Sequence, residues 1–244
     1  MKPFVAIAAL LVSPLVVAQG APARRRPVAV PAPVIVHRTV TLQPSRDNTL
    51  YETTDGSASN GKGARLFAGM TANGSRRRAL LAFDIRSQIP PGSQITRVVL
   101  TLTVSIATSG PQVMSLHRVT TDWGEGASLA QWFGFFGRGD GRGAGAAAGD
   151  ATWLHAFFPD KRWTNAGGDF DSDADATATS GSTDIRWESA ALITRVQQWL
   201  DQPSTNFGWI VIGNESSFHT AKGFGSRESS GTVPALMIEL DARQ

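Results

Sequence analysis

The stretch ITRVVLTLTVSI, residues 95–106, decides the fold class because its apolar residues alternate along the chain. Val98, Leu100, Leu102 and Val104 share one face of an extended chain, and Val99, Thr101 and Thr103 share the other. Successive side chains of a β-strand point to opposite faces, so this pattern is typical of a strand that covers a core on one side. It predicts an antiparallel sheet.

Further β-type runs lie on both sides of this stretch, separated by turn signals such as PPGS at 90–93. They are VTLQ (40–43), ARLFAG (64–69), RALLAFDI (78–85), VMSLHRVT (113–120), FGWIVIG (207–213) and ALMIEL (235–240). Strands of this length and spacing predict an all-β fold with two packed antiparallel sheets.

One segment, SAALITRVQQWLDQP at residues 189–203, has helical periodicity. Leu192, Val196, Trp199 and Leu200 form a single apolar stripe, Ser189 is placed as an N-cap and a proline ends the segment. We expect a short helix with Trp199 in the core. Between Thr120 and Trp187 there is little periodicity, which predicts a long loop region.

The N-terminus has the pattern of a secretory signal peptide over residues 1–20, with one lysine, an apolar run and small residues at the cleavage site. A Pro/Ala-rich linker is expected over residues 21–37, followed by one β-sandwich domain over residues 38–244. The protein is therefore expected to be secreted or periplasmic. No further apolar run is long enough for a transmembrane segment.

The formal net charge of +3 comes from the basic residues near the N-terminus. Residues 1–37 contain four of the 23 lysines and arginines and no acidic residue, which leaves 19 basic against 20 acidic residues in 38–244. A domain with this balance gives no support for nucleic-acid binding. The chain has no cysteine, so disulfides cannot stabilise it.

Several motifs occur in an order that resembles the DNRLRE-type extracellular domain and the related carbohydrate-binding modules of alginate-degrading enzymes. They include DNTLYE (47–52), HRVTTDWGEG (117–126), GDATW (149–153), WTNAGGDFD (163–171) and FGSRESSGTVPALMIEL (224–240). The likeness covers about Thr39 to Leu240. It implies a jelly-roll β-sandwich, an extracellular setting and binding of polysaccharide, with acidic glycans such as alginate as one ligand class.

Calcium is the metal that the acidic residues suggest, because it prefers several hard oxygen ligands. Asp169 and Asp171 belong to the aspartate ladder GGDFDSDAD, and Asp150 in GDATW is placed to join them or to cap a turn. The spacing does not match an EF-hand loop. The ladder's last two aspartates, at 173 and 175, are expected to be solvated.

A second candidate ion site combines Asp47, at the first motif, with Glu228, near the last strand. Jelly-roll modules often bring such ends together. The alternative interpretation is an ion pair between Arg227 and a carboxylate that fastens the two ends of the domain.

Candidate ligand contacts are aromatic and basic residues, since sugars offer apolar faces and uronic acids carry carboxylates. The long loop contains Lys161, Arg162 and Trp163, and Trp153 lies nearby; the alternative for both tryptophans is a place in the core. Another basic surface contains Lys62 and Arg65. Arg76, Arg77 and Arg78 either extend that surface or form a solvated entrance to a strand.

Catalysis is not expected. The four histidines have no HExxH-type spacing, no serine lies in a GxSxG elbow, and no phosphate-binding loop is complete. The leading hypothesis is a secreted non-catalytic module that binds a polysaccharide or cell-surface glycan. The alternative is a structural or surface-assembly protein of the cell envelope or matrix without glycan specificity.

Overall fold

A computed structural model describes residues 34–107, 109–130 and 140–243. The signal peptide and most of the linker predicted from the sequence lie outside these residues. The described chain is mostly β with one α-helix, α1 (Ala190–Asp201). Two short 3₁₀ turns span Asp140–Arg142 and Pro203–Thr205.

The strands of the described residues are β1 (Ile35–Leu42), β2 (Arg46–Tyr51), β3 (Ala58–Ser59), β4 (Arg65–Met70), β5 (Arg76–Ala82), β6 (Gln94–Ala107), β7 (Val113–Val119), β8 (Ala144–Gly145), β9 (His155–Phe157), β10 (Lys161–Arg162), β11 (Phe170–Thr179), β12 (Asp184–Glu188), β13 (Trp209–Ile212), β14 (Lys222–Gly225) and β15 (Ala235–Arg243). All seven predicted β-type runs overlap a strand. Strand β1 starts at Ile35, three residues before the predicted start of the domain at residue 38, and pairs with β15 along its full length.

The strands of the main sheet pair antiparallel in one continuous, strongly curled path. Its order is β1-β15-β6-β14-β4-β5-β13-β7-β11, with β12 added beside β6 and β2 beside β5. The sequence predicts two separate sheets, whereas here β4 and β14 connect the two halves. Strand β4 does so because it pairs with β14 through residues 65–68 and with β5 through residues 69 and 70.

Gly69 lies at the point where β4 changes its partner. Its φ angle is +114°, and a Cβ there would lie 2.8 Å from the backbone of Ala221 and Thr220. A residue with a side chain is disfavoured on both grounds. Glycine at this position thus allows the close crossing that joins the two halves of the sheet.

The main core lies inside the curl of the sheet. The predicted alternation of β6 is confirmed where Val98, Leu100 and Leu102 enter this core. Helix α1 is also confirmed: the Ser189 hydroxyl accepts a hydrogen bond from the backbone N–H of Leu192, and the predicted apolar stripe is buried. The ring of Trp199 lies 4.4 Å from that of Trp209, centroid to centroid.

The region predicted as a long loop contains two main-sheet strands, and this part of the prediction is wrong. Strand β11 pairs with β7, and β12 pairs with β6. Aspartate is rare in strands, which hid β11 in the sequence. Asp173 is exposed as expected, but Asp175 is buried and binds Arg195 through two hydrogen bonds of 2.9 and 3.0 Å.

No helix within the described residues is long and apolar enough to span a membrane.

Candidate functional site

Three carboxylates from distant parts of the chain meet at one end of the domain. Asp47 lies on β2, Glu125 follows β7 and Glu228 follows β14, and one oxygen of each lies within 4.8 Å of the others. We call this group the acidic triad. It brings together the predicted pair Asp47 and Glu228, and it adds Glu125, which sequence reasoning missed although it lies in the quoted motif DWGEG.

Two cations lie among these three carboxylates. Arg227 Nε is 2.8 Å from Glu228 Oε1 and 3.0 Å from Glu125 Oε1, and the backbone N–H of Arg227 donates to Asp47 Oδ2 at 2.7 Å. Lys62 Nζ binds Glu125 and lies 3.7 Å from Glu228. The ion-pair alternative and the ion-site prediction therefore refer to the same cluster, whose formal charge is −1 when all five groups are ionised.

The acidic triad has the donor set that a hard divalent cation prefers. Burial raises the pKa of Asp47 well above its ordinary value, and the negative charges of Glu228 and Glu125 raise it further, against the hydrogen bond from Arg227 N–H. A bound cation would offset the cost of burying the Asp47 charge and the repulsion from Glu228 and Glu125. The side chain of Lys62 is 39% exposed, so it has room to swing into solvent when a metal ion takes its place.

Asp150, a predicted metal ligand, instead holds loop backbone. Its side chain is fully buried, and its carboxylate accepts hydrogen bonds from the backbone N–H groups of Ala127, Ser128 and Ala147 at 2.8, 3.3 and 2.6 Å. A carboxylate surrounded by N–H donors is already stabilised as an anion.

Asp169 has a similar role in the turn that precedes β11. It accepts hydrogen bonds from the backbone N–H groups of Thr164 and Asn165, both at 2.9 Å, and from the Thr121 hydroxyl at 3.2 Å. Burial by itself would raise the pKa of Asp169, but these donors outweigh it and lower the pKa. Asp171 lies 3.6 Å from Arg195 and 3.8 Å from Arg118.

Within the described part of the chain, the acidic triad is the only group of three or more potential metal ligands in close proximity. The structure does not bring Asp150, Asp169 and Asp171 together as a shared site.

The two tryptophans predicted as ligand contacts are buried, with 4% of Trp153 and 6% of Trp163 exposed. Trp163 Nε1 donates to the carbonyl of Thr152 at 2.8 Å. The guanidinium groups of Arg76 and Arg78 each lie 4.9 Å from the Trp153 ring centre. These contacts match the core alternative for both residues.

The predicted basic contacts are dispersed. Lys161 and Arg162 are exposed on β10, and Lys161 Nζ lies 5.5 Å from the ring centre of Phe157. Lys62 binds Glu125 of the acidic triad, and Arg65 lies partly exposed at the start of β4.

A polar cleft lies beside the end of β2 and the turn between β4 and β5. It consists of two open depressions of about 750 and 410 Å³ that share Glu52, Thr53 and Ser75. The first is also lined by Thr54, Asp55, Trp153 and Leu154, and the second by Thr71, Asn73, Arg77, Gly141 and Arg142. Hydroxyl, amide, carboxylate and guanidinium groups therefore line one connected surface.

The three consecutive arginines are not a solvated entrance to β5. Arg76 binds Glu52 with an Nη2 to Oε1 distance of 2.6 Å, and Arg78 binds Glu215 at 2.8 Å. Arg77 is 6% exposed and forms no ion pair with any described residue, although it lines the cleft.

Hydrogen bonds and one ring contact hold Arg77 in place. It donates to the carbonyls of Gly141 and Arg76 at 3.3 and 2.8 Å, and its guanidinium lies 4.9 Å from the Tyr51 ring centre. Burial lowers the pKa of Arg77, against the attraction of Tyr51 and Glu52. The cleft wall thus contains a buried cation that contacts the Tyr51 ring but forms no ion pair with a described carboxylate.

No protein-family model matches the chain, and no curated protein matches it. The chemistry of the polar cleft and the acidic triad is therefore the basis for inferring function.

Proposed function

We propose that this protein is a secreted, non-catalytic module that binds polysaccharide in the polar cleft, with anionic, uronic-acid glycans as its preferred class. The observation that carries the proposal is the buried guanidinium of Arg77 in the wall of an open polar cleft, which forms no ion pair with any residue that the structure describes.

The groups that line the cleft suit a sugar chain. Thr53, Ser75 and Asn73 offer hydrogen-bonding groups that match sugar hydroxyls. Because two depressions adjoin, successive sugar rings can enter neighbouring subsites.

Arg77 and Arg142 favour an acidic ligand. A buried charge without a partner is costly, so a carboxylate that enters the cleft would offset that cost. Guanidinium groups bind carboxylates in a planar, often bidentate geometry. Arg142 is exposed on the same depression and offers a second contact.

The carboxylates of the cleft support a non-catalytic role. The hydrogen bond from Arg76 lowers the pKa of Glu52, and the bond from the Ser57 hydroxyl lowers the pKa of Asp55. A general acid for glycoside cleavage needs a raised pKa, so both groups are unsuited to that role at neutral pH.

The fold proposal is a jelly-roll β-sandwich of the DNRLRE type, in accordance with the order of motifs. Strands β1, β15, β6 and β12 would form one layer, and β2, β5, β13, β7 and β11 the other. Residues of both groups, such as Leu100 and Leu81, belong to one core cluster. In this view β4 and β14 are the corner strands that join the layers.

A structural calcium ion at the acidic triad is a further part of the proposal. Asp47, Glu125 and Glu228 would supply carboxylate oxygens, and Lys62 would leave Glu125 for solvent. An ion there would stabilise the same long-range link that Arg227 makes in its absence.

Affinity gel electrophoresis of the secreted protein with alginate, polygalacturonate and xylan tests the function. We expect retardation by the two acidic polymers, and weaker retardation of Arg142→Ala. Arg186→Ala removes an exposed arginine from β12, outside the lining of the cleft, and serves as the matched control, with unchanged mobility relative to wild type. Retardation by none of the polymers would reject the proposal in favour of a structural or surface-assembly role.

A further inference from the structure

One aromatic side chain is unlike all the others in the described residues. Phe218 is 65% exposed, and it is the only aromatic among the exposed large apolar side chains of that part of the chain. An exposed aromatic ring gains nothing for the core. Single apolar side chains are common on protein surfaces, so the significance of Phe218 depends on what lies beside it.

The backbone around Phe218 is held firmly. The Thr220 hydroxyl donates within the loop to the carbonyls of Asn214 and Ser217, and it accepts from the N–H of Met70. The backbone N–H of Thr220 also donates to the carbonyl of Met70 at 2.9 Å. The loop is therefore tied to the end of β4.

The next residue, His219, has a φ of +61° and is the only residue other than glycine with a positive φ in the described chain. Such a conformation is unfavourable for a residue with a Cβ and often marks a functional position. The loop thus keeps an unfavourable backbone conformation directly beside an exposed aromatic ring.

Phe218 lies next to the polar cleft. A Cβ built on Gly74 would lie 2.9 Å from Cε1 of the Phe218 ring, so the ring packs on the bare backbone of that glycine. The neighbours of Gly74 in the chain, Asn73 and Ser75, both line the cleft. The ring consequently borders the rim formed by the turn between β4 and β5.

We propose that Phe218 is the stacking platform for a sugar ring at the outer end of the cleft. This inference rests on the proposed function and assigns a recognition residue to it. The aromatic face is electron-rich and attracts the slightly positive C–H groups on the apolar face of a pyranose. Among the described residues that line the cleft, Trp153 is the only aromatic one, and it is only 4% exposed.

In this arrangement the arginines and the phenylalanine contact different rings of the polymer. Arg77 and Arg142 would select for carboxylate on one ring of the polymer, whereas Phe218 would hold a neighbouring ring by its carbon face. Oligosaccharides too short to reach both places would then bind weakly even when they carry a carboxylate.

The test is titration calorimetry of wild type, Phe218→Ala, Phe218→Leu and Phe218→Trp with alginate and with xylan. For the polymer that wild type binds, we expect Phe218→Ala and Phe218→Leu to weaken affinity about threefold to tenfold, and Phe218→Trp to retain it. Phe218→Leu keeps an apolar contact with Gly74 and separates loss of the aromatic face from loosening of the loop. Val113→Ala, which trims another exposed apolar residue, is the control with unchanged affinity.

The outcomes separate the two proposals. Wild-type binding that is equally strong in Phe218→Ala and Phe218→Leu would overturn the stacking role and leave the cleft proposal intact. Wild type that binds neither polymer would overturn both. Loss of affinity in Phe218→Ala with full affinity in Phe218→Leu would also overturn stacking, since the aromatic face would then be dispensable.

Discussion

The backbone N–H of Arg227 donates a hydrogen bond of 2.7 Å to Oδ2 of Asp47, across 180 positions of the chain. This bond connects β2, near the start of the domain, to the segment that precedes the last strand. The Arg227 side chain then reaches Glu125 and Glu228. Removal of any one of the three carboxylates would leave the positive charge of the partly buried Arg227 less well neutralised.

Calcium is expected to raise the melting temperature through the acidic triad. An ion that binds only the folded state at a free concentration of 100 Kd adds about 2.7 kcal/mol, which for a chain of this size corresponds to about 5–10 °C. Differential scanning calorimetry with calcium and with chelator measures the shift.

Glu228→Gln should abolish this calcium-dependent shift. Glu188→Gln is the matched control, because Glu188 pairs with Arg97 and is not part of the acidic triad. A wild-type melting temperature that is the same in calcium and in chelator would contradict calcium binding.

Arg77→Met is expected to weaken the binding of acidic polysaccharide with little effect on the stability of the fold. Methionine fills a similar volume. Removal of a buried charge without a carboxylate partner offsets the loss of the two hydrogen bonds to the carbonyls of Gly141 and Arg76. We expect retardation on alginate gels to fall while the midpoint of urea unfolding stays close to wild type. Strong destabilisation together with unchanged retardation would instead make Arg77 a structural residue.

Asp169→Asn should lower the free energy of unfolding at neutral pH, and it should lower it by a smaller amount in acid. Because hydrogen bonds lower the pKa of Asp169 in the folded state, its stabilisation is complete above its ordinary pKa near 4 and is lost as the pH falls through the lowered value. The expected loss at pH 7 is about 1–3 kcal/mol.

Urea unfolding of wild type and of Asp169→Asn at pH 7, 5, 4 and 3 measures how their difference in stability changes with pH. Asp173→Asn, at an exposed position of β11, is the control and should match wild type at every pH. An Asp169→Asn deficit that is equally large at pH 3 and pH 7 would show that the carboxylate charge is not its source.

Gly69→Ala is expected to destabilise the fold far more than Gly92→Ala. Both glycines have positive φ angles, +114° and +77°, so both substitutions strain the backbone. A Cβ at Gly69 would also meet the backbone at 2.8 Å, whereas nothing lies within 4 Å of one at Gly92. Thermal unfolding should show a cost of about 1 kcal/mol at Gly92 and above about 3 kcal/mol at Gly69. Equal costs would mean that the crossing of β4 tolerates a side chain.

Seven strands of the main sheet and the helix could be predicted from the sequence because their signals are local. The alternation around Leu100 and the apolar stripe that ends at Leu200 depend on side-chain spacing within a single element. The pairing of Asp47 with Glu228 came from motif order, since a resemblance carries information about which ends of a chain meet.

Local patterns could not predict the features that depend on distant partners. Strand β11 exists because β7 pairs with it, and Asp175 is buried because Arg195 and the indole of Trp209 bind its carboxylate. Glu125 joins the acidic triad from 78 positions beyond Asp47.

The sequence by itself determined a mostly β protein with one amphipathic helix, because burial of apolar side chains at period 2 or 3.6 selects those elements. Only the tertiary structure decided that Arg77 is buried without an ion pair to any described residue and that Phe218 stays in solvent beside a cleft. Both outcomes depend on which segments pack together, since a side chain's charge compensation and exposure are properties of its neighbours in space.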